Sequence, residues 1–423
     1  MFRLLIILAV YLPFQLALNP FSGVDLDSIR VLIIGLFLVW LAQGLKKRHL
    51  WIKNSWTTAF LLSFIFLNLI SLLVAQEQSF ALRKLLFLFS ILPLYFVAAQ
   101  IVDNTKKTVQ LIRALVFGGA LVSLIGIMQF CLQFIIGLDQ TYEVWANYVI
   151  NPFLGKSFSA AVLANPSLLV NIGGQTYLRA TSVFPDPHIL SFYVGLLIPL
   201  ALGLYLINRH KKFALMSLVL LIIADILTFS RGGYLGLLAG FLALAVYFWK
   251  EIGPYSKIAS FLILMAIFLG ILIPSPLSSR FYSIFNLREG SNQGRIQIWK
   301  EALDIIRDHQ FLGVGIGNYS KAVKVKATYR EPIYAHNTYL DIAAESGIIN
   351  AFFWISLIIA AAVNFYQRRK NKMFLMLCVS LIIFSVHSFF ETAIYSPVVL
   401  TLFIFIISFA NVNNGYENNY KTG

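Results

Sequence analysis

The sequence has little charge and little cysteine, and both scarcities exclude classes of protein. Only 12% of its 423 residues are charged, whereas 59% are hydrophobic and the mean hydropathy is +0.79. This composition is far more apolar than that of soluble proteins, so a water-soluble enzyme is excluded. The two cysteines, Cys131 and Cys378, both lie in apolar stretches. A disulfide framework and a cysteine-based metal site are therefore excluded as well.

Acidic residues are also scarce, because 18 Asp and Glu stand against 33 Lys and Arg, for a formal net charge of +15. In a soluble protein this excess would indicate a nucleic-acid partner. Here most of the basic residues lie in short segments between apolar runs, which is typical of the cytoplasmic loops of a membrane protein. We therefore expect the lipid bilayer, and no nucleic acid, as a partner.

Apolar runs near the length of a bilayer crossing recur along the chain. They predict an all-α integral membrane protein with about 12 transmembrane helices. The first run is taken as a membrane helix because no A-x-A-like cleavage site follows it. The runs are 4–18, 29–45, 56–74, 82–101, 109–136, 189–207, 213–229, 234–249, 258–273, 348–366, 373–390 and 394–410.

Residues 1–410 are expected to form a single polytopic membrane domain, and the Asn-rich residues 411–423 a disordered cytoplasmic tail. If the spans alternate, the Lys and Arg residues of the short loops gather on one side, which predicts that both termini are cytoplasmic. On the opposite side, the segments at about 137–188 and 274–347 are too long to be turns. We expect the function to lie there.

The second long segment contains a predicted amphipathic helix over residues 295–310, lying on the membrane surface or against the bundle. Its apolar residues at helical spacing are Ile296, Trp299, Leu303 and Ile306. Nine basic residues in the same segment would attract an anionic acceptor such as a phosphorylated glycolipid. The run 313–317 follows no predicted strand and has no P-loop lysine, so we interpret it as a flexible turn and not as a nucleotide site.

Residues 336–347 are predicted to form a helix with Asn337, Asp341 and Glu345 on one face. His336, at its start, is a candidate general base, because a histidine can accept a proton near neutral pH. The alternative is a capping or interfacial histidine that only bonds the backbone.

Three arginines are candidates for holding a diphosphate. Arg231 occupies a short turn where the topology gives no reason to place a cation, and its planar fork of donors suits a phosphate at headgroup depth. Its alternative role is that of an arginine that reaches phospholipid headgroups. Arg295, with Arg288 seven residues earlier, would supply a second cation to the same diphosphate. The alternative for Arg295 is a solvated loop charge.

Acidic residues near the spans are given structural interpretations. Asp225 lies inside a span, where an unpaired carboxylate is costly, so we expect it to face the bundle interior and to have a partner. Glu391 and His387, at the outer end of another span, receive the same interpretation. Asp25 and Asp27 are two carboxylates that by themselves make a weak metal site, and we predict no metal.

Five motifs, in this order, resemble those of the O-antigen ligase and polymerase superfamily of bacterial inner-membrane glycosyltransferases. Each motif is weak, and the resemblance depends on their order over residues 179–355. The motifs are 179–188 with Arg179 and His188, 230–233 with Arg231, 294–303 with Arg295 and Trp299, 313–319, and His336-Asn337 with Leu340 and Glu345-Ser346-Gly347.

This resemblance implies a GT-C-like bundle in the bacterial inner (plasma) membrane, with a large periplasmic loop and an active site that faces the periplasm. It implies a glycan donor linked to undecaprenyl diphosphate, a lipid A-core or lipid-linked glycan acceptor, and neither cofactor nor metal. His336 would match the family's essential periplasmic histidine, and Arg231 and Arg295 its two essential arginines. Further candidates for substrate binding are Arg179, Arg288, Asn337 and Glu345.

The implied function is that of an O-antigen ligase, an inverting glycosyltransferase that acts on the lipid A-core of lipopolysaccharide. The basic long loop and the intact histidine motif favour the ligase. The sequence leaves open an O-antigen polymerase or a protein O-oligosaccharyltransferase with the same donor. A small-solute transporter is a further alternative, but transporters usually place charges at the bilayer midplane and often repeat in halves, and neither feature is visible here.

Overall fold

The computed structural model describes the chain except residues 22–23, 49–51, 156–158, 160–165, 173, 208–210, 250–289, 329–332 and 413–423. The predicted span 258–273, the candidate Arg288 and almost all of the predicted tail lie outside the described residues. What is described is mostly helical.

The N-terminal part of the chain forms six helices, two of which meet at a proline. Pro93 separates α4 from α5, because proline has no N–H with which to continue the hydrogen bonds of a helix. The six helices are α1 (Phe2–Tyr11), α2 (Ser28–Lys46), α3 (Trp56–Ser71), α4 (Gln78–Ile91), α5 (Leu94–Ile101) and α6 (Thr105–Ile136).

The middle and C-terminal parts add eleven helices among the described residues. In the middle these are α7 (Leu138–Val144), α8 (Asn151–Leu154), α9 (Pro187–Leu206), α10 (Lys211–Leu227) and α11 (Arg231–Phe248). After the gap at 250–289 they are α12 (Gly290–Asp308), α13 (Tyr319–Val323), α14 (Thr338–Ser346), α15 (Ile348–Gln367), α16 (Lys372–His387) and α17 (Pro397–Ser408).

Two short antiparallel hairpins correct the all-α prediction. They are β1 (Ala17–Phe21) with β2 (Val24–Asp27), and β3 (Leu169–Ile172) with β4 (Gln175–Leu178). In the second hairpin Ile172 pairs with Gln175, and the turn includes Gly174 with φ +85°. Glycine adopts this conformation at little cost, so the Gly-containing turn specifies a hairpin that a helical hydropathy pattern does not reveal.

Seven helices of the described chain are long and apolar enough to cross a membrane, so the protein is a multi-pass membrane protein. They are Ser28–Lys46, Trp56–Val74, Gln78–Ile101, Thr105–Ile136, Pro187–Leu206, Arg231–Phe248 and Ile348–Gln367. Shorter apolar helices are Phe2–Phe14, Lys372–His387 and Pro397–Asn411. The predicted count of twelve spans is therefore not confirmed, and the sidedness of the loops stays a prediction.

The centre of the bundle is formed by α9 and α17. Helix α9 packs against α6, α10, α11 and α16, and the side chains of α17 from Val398 to Ser408 are all buried. Aromatic rings join α15, α16 and α17, since Phe384 stacks on Phe403 with centroids 4.4 Å apart and Trp354 lies 5.0 Å from the same ring. The sequence of α17 is apolar on nearly every side, as expected for a helix that is buried all round.

The run 313–317 forms a turn, as predicted, and this turn packs closely against the segment before α4. Asn318, directly after it, is buried, and its Oδ1 accepts a hydrogen bond from the backbone N of Glu77 at 2.7 Å. Gly315 has φ +92°, and an added Cβ would overlap the backbone of Ala75. Only glycine allows this close approach, which fixes residues 313–318 to the residues just before α4.

Helix α12 confirms the predicted amphipathic helix and packs against α14. Its buried face differs from the predicted one, because Ala302 is fully buried whereas 49% of Leu303 is exposed. The indole Nε1 of Trp299 donates a hydrogen bond to the carbonyl oxygen of Ala335 at 3.0 Å. This contact joins α12 to the segment that precedes α14.

We expect Gly347→Ala to destabilise the protein. Gly347 joins α14 to α15 with φ +90° and ψ +161°, a region essentially restricted to glycine, and an added Cβ would overlap the carbonyl oxygen of Phe311. The backbone strain alone costs about 1–3 kcal/mol. Thermal unfolding of the detergent-solubilised protein should show a lower Tm.

The matched control is Gly35→Ala in α2, where nothing lies within 4 Å of an added Cβ. Alanine is favoured over glycine in a helix, so its Tm should be unchanged or higher. Equal Tm values for the two variants would contradict the prediction.

Candidate functional site

His336 lies just before α14 with its backbone in the left-handed region, at φ +48°. A non-glycine residue adopts this conformation at a cost of about 1–2 kcal/mol, so neighbouring contacts must hold it there. The backbone N of Ala335 donates to Asp341 Oδ1 at 2.8 Å, and its carbonyl oxygen accepts from Trp299. The imidazole is therefore presented from a fixed backbone.

The residues after His336 are also fixed. Asn337 is the N-cap of α14, and its Oδ1 accepts hydrogen bonds from two backbone amides of the first turn, at 3.0 and 3.1 Å. The predicted helix is thus confirmed but begins at Thr338, and Asn337 precedes it as the N-cap. Thr338 Oγ1 donates to the carbonyl oxygen of Glu391 at 2.9 Å. This bond joins the start of α14 to the segment after α16.

The carboxylate of Glu391 lies at the centre of a group of basic side chains, which we call the Glu391 cluster. Its Oε2 accepts a hydrogen bond from His336 Nδ1 at 3.1 Å, and its Oε1 accepts one from Arg295 Nη2 at 3.2 Å. Nε2 of His188, in α9, lies 3.8 Å from the same Oε1, and its Nδ1 lies 2.9 Å from Ser230 Oγ. The cluster therefore joins four separate parts of the chain.

The charges around Glu391 decide its ionisation. Burial by itself would raise the pKa of this carboxyl, but the nearby His188, His336 and Arg295 outweigh burial and hold the pKa well below its usual range. An ionised carboxylate can only accept hydrogen bonds. His336 therefore donates from Nδ1, which leaves Nε2 as the acceptor of the neutral ring.

His336 is more accessible than its partner Glu391, because its side chain is 39% exposed and that of Glu391 is 14% exposed. Burial acts to lower the pKa of His336, but the hydrogen bond and the charge of Glu391 raise it above its usual value. An accessible imidazole with an acceptor nitrogen and raised basicity is suited to take a proton from a bound hydroxyl.

Arg231 lies between Ser230, which contacts His188 of the cluster, and Gly232, which packs close to His387. It is buried as the first residue of α11. Ser230, before it, caps this helix and contacts His188, and an added Cβ on Gly232, after it, would lie 2.8 Å from the ring of His387. The fold therefore brings Arg231, Arg295 and His336, which are far apart in sequence, to one end of the bundle.

Arg179 is deeply buried, and its guanidinium donates to two backbone carbonyls. Its Nε bonds the oxygen of Thr228 at 2.6 Å and its Nη1 that of Ser167 at 2.7 Å. Arg179, just after the β3–β4 hairpin, thus links the segment before this hairpin to the turn before α11. The predicted contact of Arg179 with substrate stays a prediction.

Glu345 belongs to a second polar group, away from His336. Lys84 Nζ lies 2.6 Å from its Oε1, and the hydroxyl of Tyr395 donates to its Oε2 at 3.0 Å. Both carboxylate oxygens are thus engaged by α4 and by the turn before α17. The substrate contacts predicted for Glu345 and Asn337 stay predictions.

The structural interpretations of two acidic residues, Asp225 and Glu391, have different outcomes. Asp225 is fully buried in α10 and accepts a hydrogen bond from Ser191 Oγ at 2.6 Å, so the predicted inward orientation and partner are confirmed. Glu391 also has partners, but these are candidate site residues, and the structural interpretation missed that link. The only signal in the sequence is an acid at the end of an apolar run, which is too weak to identify a site.

The described residues contain no group of three or more His, Cys, Asp or Glu side chains that could hold a metal ion. Asp27 instead accepts a hydrogen bond from Gln15 Nε2 at 3.3 Å. The expectation that the reaction uses no metal stays a prediction.

Residues 216–355 match the model of a protein family described as O-antigen ligase. The match covers less than half of the chain and supports the O-antigen ligase and polymerase superfamily. The match contains Arg231, Arg295 and His336, and it confirms the resemblance to the O-antigen ligase and polymerase superfamily. Glu391 and Arg179 lie outside the matched residues. The search of curated proteins finds no match to the chain.

The match to this family indicates an enzyme of the glycosyltransferase or ligase kind, with a lipid-linked glycan and a lipid acceptor in a membrane as substrates. The Glu391 cluster is the candidate site for that activity, because it contains two of the three residues singled out for the chemistry and adjoins the third.

We expect Lys84→Met to destabilise the fold strongly. The side chains of Lys84 and Glu345 are only 10% and 5% exposed, and removing one partner of a buried ion pair leaves an uncompensated charge. Such a loss typically lowers the free energy of unfolding by about 3–5 kcal/mol. The measurement is chemical unfolding in detergent.

The control for this variant is Arg307→Ala, which breaks a pair with Asp304 whose side chains are 74% and 68% exposed. Exposed pairs contribute about 0–1 kcal/mol. If Lys84→Met cost no more than Arg307→Ala, the Lys84–Glu345 pair would not anchor α14.

Proposed function

We propose that the protein is an O-antigen ligase, an inverting glycosyltransferase that moves a glycan from undecaprenyl diphosphate to the lipid A-core of lipopolysaccharide. One observation carries the proposal. His336 and Arg295, a proton acceptor and a phosphate-binding cation, bond the two oxygens of one buried carboxylate. Because both side chains bond the same carboxylate, the base and the cation are held close to each other. Both residues lie within the region that matches the family.

His336 acts as the general base. Its Nε2 takes the proton from an acceptor hydroxyl as that oxygen forms a bond to the anomeric carbon of the donor sugar. The bond from the anomeric carbon to the phosphate oxygen breaks on the opposite face, and its electron pair leaves with undecaprenyl diphosphate. Attack from the opposite face inverts the anomeric configuration.

Arg295 and Arg231 hold the diphosphate and stabilise the charge that develops on it. Guanidinium groups suit this role because their planar donors bind phosphate oxygens in pairs. Diphosphate is a good leaving group, so the reaction needs no general acid and no nucleotide. In this proposal the site faces the periplasm from the bacterial inner membrane, and the bias of basic residues toward the other side of the bundle supports that orientation.

The acceptor distinguishes the ligase from an O-antigen polymerase with the same donor. Purified protein in detergent would receive undecaprenyl-diphosphate glycan with either lipid A-core or a second lipid-linked glycan, and the products would be separated by size on a gel. Glycan on lipid A-core supports the ligase, whereas lengthened lipid-linked chains would move the assignment to polymerase. No transfer to either acceptor, with folded protein and intact donor, contradicts the proposal.

We expect His336→Asn to fold and to lose activity by about 10²- to 10⁴-fold, the usual contribution of a general base. Asparagine tolerates the left-handed backbone of this position but is no base at neutral pH. The control is His309→Asn, at an exposed position after α12. Initial rates of glycan transfer and Tm would be compared, and near wild-type transfer by His336→Asn would refute the assignment.

Arg295→Gln should lose about 10²- to 10³-fold in kcat, as expected for one charge-stabilising contact. Arg307→Gln on the same helix is the control, since Arg307 is exposed and pairs with Asp304 rather than with the cluster. Comparable rates of transfer for the two variants would argue against a diphosphate contact by Arg295.

A further inference from the structure

One carboxylate at the site has no role in the reaction proposed above. Glu391 lies in the segment between α16 and α17, outside the residues that match the family. It nevertheless contacts His336 with one oxygen and Arg295 with the other. A buried carboxylate is costly unless its negative charge is compensated, and the basic side chains of the cluster provide that compensation.

We propose that Glu391 is the positioning residue of this site, which orients His336 with Nε2 toward the open side and keeps Arg295 next to it. This inference rests on the proposed function, since it assigns Glu391 a task in the same transfer. Glu391 acts through His336 and Arg295 and need not touch the substrate.

The backbone of Glu391 is itself fixed relative to His336. Its carbonyl oxygen accepts the hydrogen bond from Thr338 Oγ1, and its N–H donates to the carbonyl oxygen of His387 at 3.2 Å. The carbonyl oxygen of Ser388 also accepts from the backbone N of Thr338 at 2.9 Å. The carboxylate and the imidazole are therefore held by segments that bond each other on both sides of the contact.

The contact also selects the tautomer of His336. A carboxylate cannot donate, so the proton of the neutral ring stays on Nδ1 and Nε2 remains free to accept. An amide in this place can donate to Nδ1 and so favour the tautomer with the proton on Nε2, which cannot act as a base. In the transition state, the negative charge of Glu391 also stabilises the imidazolium that forms.

The charged and titratable groups that face this pair come from four elements. They are His188 of α9, His387 of α16, Arg295 of α12 and Asp341 of α14. His188, His387 and Arg295 are cationic or become so on protonation, whereas Asp341 is acidic, and burial raises its pKa to about 6. Burial and the nearby cation Arg295 act to lower the pKa of His336, whereas the hydrogen bond and charge of Glu391, and to a smaller extent the charge of Asp341, raise it.

The sign of the pH effect follows from these contacts. His336 is a base only when neutral, so the rate of transfer rises with pH as the ring loses its proton. Because Glu391 raises the pKa of His336, its removal should move this rise to lower pH. The plateau rate should fall at the same time, because the ring loses its orientation and a charge that stabilises the imidazolium.

The experiment measures the pH dependence of kcat, the KM for the undecaprenyl-diphosphate donor and Tm. It compares wild type with Glu391→Gln, Glu391→Asp and the control Glu143→Gln, which changes an exposed acid of α7. For Glu391→Gln we expect kcat to fall by about 10²- to 10⁴-fold, with the rise shifted to lower pH. The donor KM should not increase, because Arg295 keeps its charge and the amide oxygen of glutamine can still accept its hydrogen bond. Glu391→Asp should restore part of kcat and of the pH profile.

Two results would overturn the inference while wild type is active. One is a Glu391→Gln protein with the rate and pH profile of wild type. The other is a lower kcat with an unchanged pH profile, a raised donor KM and a lower Tm, which indicates a purely structural contact. Absence of transfer by wild type would contradict the proposed function itself, so the two failures are distinguishable.

Discussion

The contacts of one buried carboxylate, that of Glu391, with an arginine and two histidines hold the ends of several helices together. Glu391 is stable as an anion only because His336, Arg295 and His188 surround it, and each comes from a different segment. Removing a partner from such a group leaves charge that the interior cannot solvate. The cluster therefore requires α9, α12, α14 and the end of α16 to be placed together, and it links their folding to the geometry of the site.

The polar segment that carries His336 is attached to the bundle at points separate from the cluster. Lys84 of α4 pairs with Glu345 of α14. The glycines of the 313–317 turn and Gly347 allow backbone contacts that a Cβ would prevent. These attachments hold the segment without using His336, Arg231 or Arg295. Two of the left-handed non-glycine residues belong to this region, His336 at φ +48° and Phe229 at φ +49°. Such conformations persist only where the surrounding contacts determine them.

The two acids of this region illustrate how environment separates roles. Glu345 faces a lysine and a tyrosine inside the protein, and its charge is used in attachment. Glu391 faces an accessible histidine and an arginine from the loop helix, so its charge acts on groups that open toward one side of the bundle. Similar carboxylates therefore serve the fold and the site, and only their neighbours distinguish them.

The sequence by itself determined the apolar spans, the two loop helices and the identity of the main candidates. Hydrophobic run length and helical spacing are local properties, so the membrane bundle, α12 and the helix after His336 could all be predicted. The order of the motifs selected His336, Arg231 and Arg295. The β3–β4 hairpin was missed because its turn depends on glycine rather than on periodicity.

Only the tertiary structure decided which of these residues meet. Glu391 is 55 residues from His336 and 96 from Arg295, and no local pattern relates positions so far apart. The same reason hid the partners of Glu345 and Arg179, the buried face of α12 and the packing of the 313–317 turn. Contacts between distant segments depend on how complete helices pack against each other, and that packing is a property of the folded bundle.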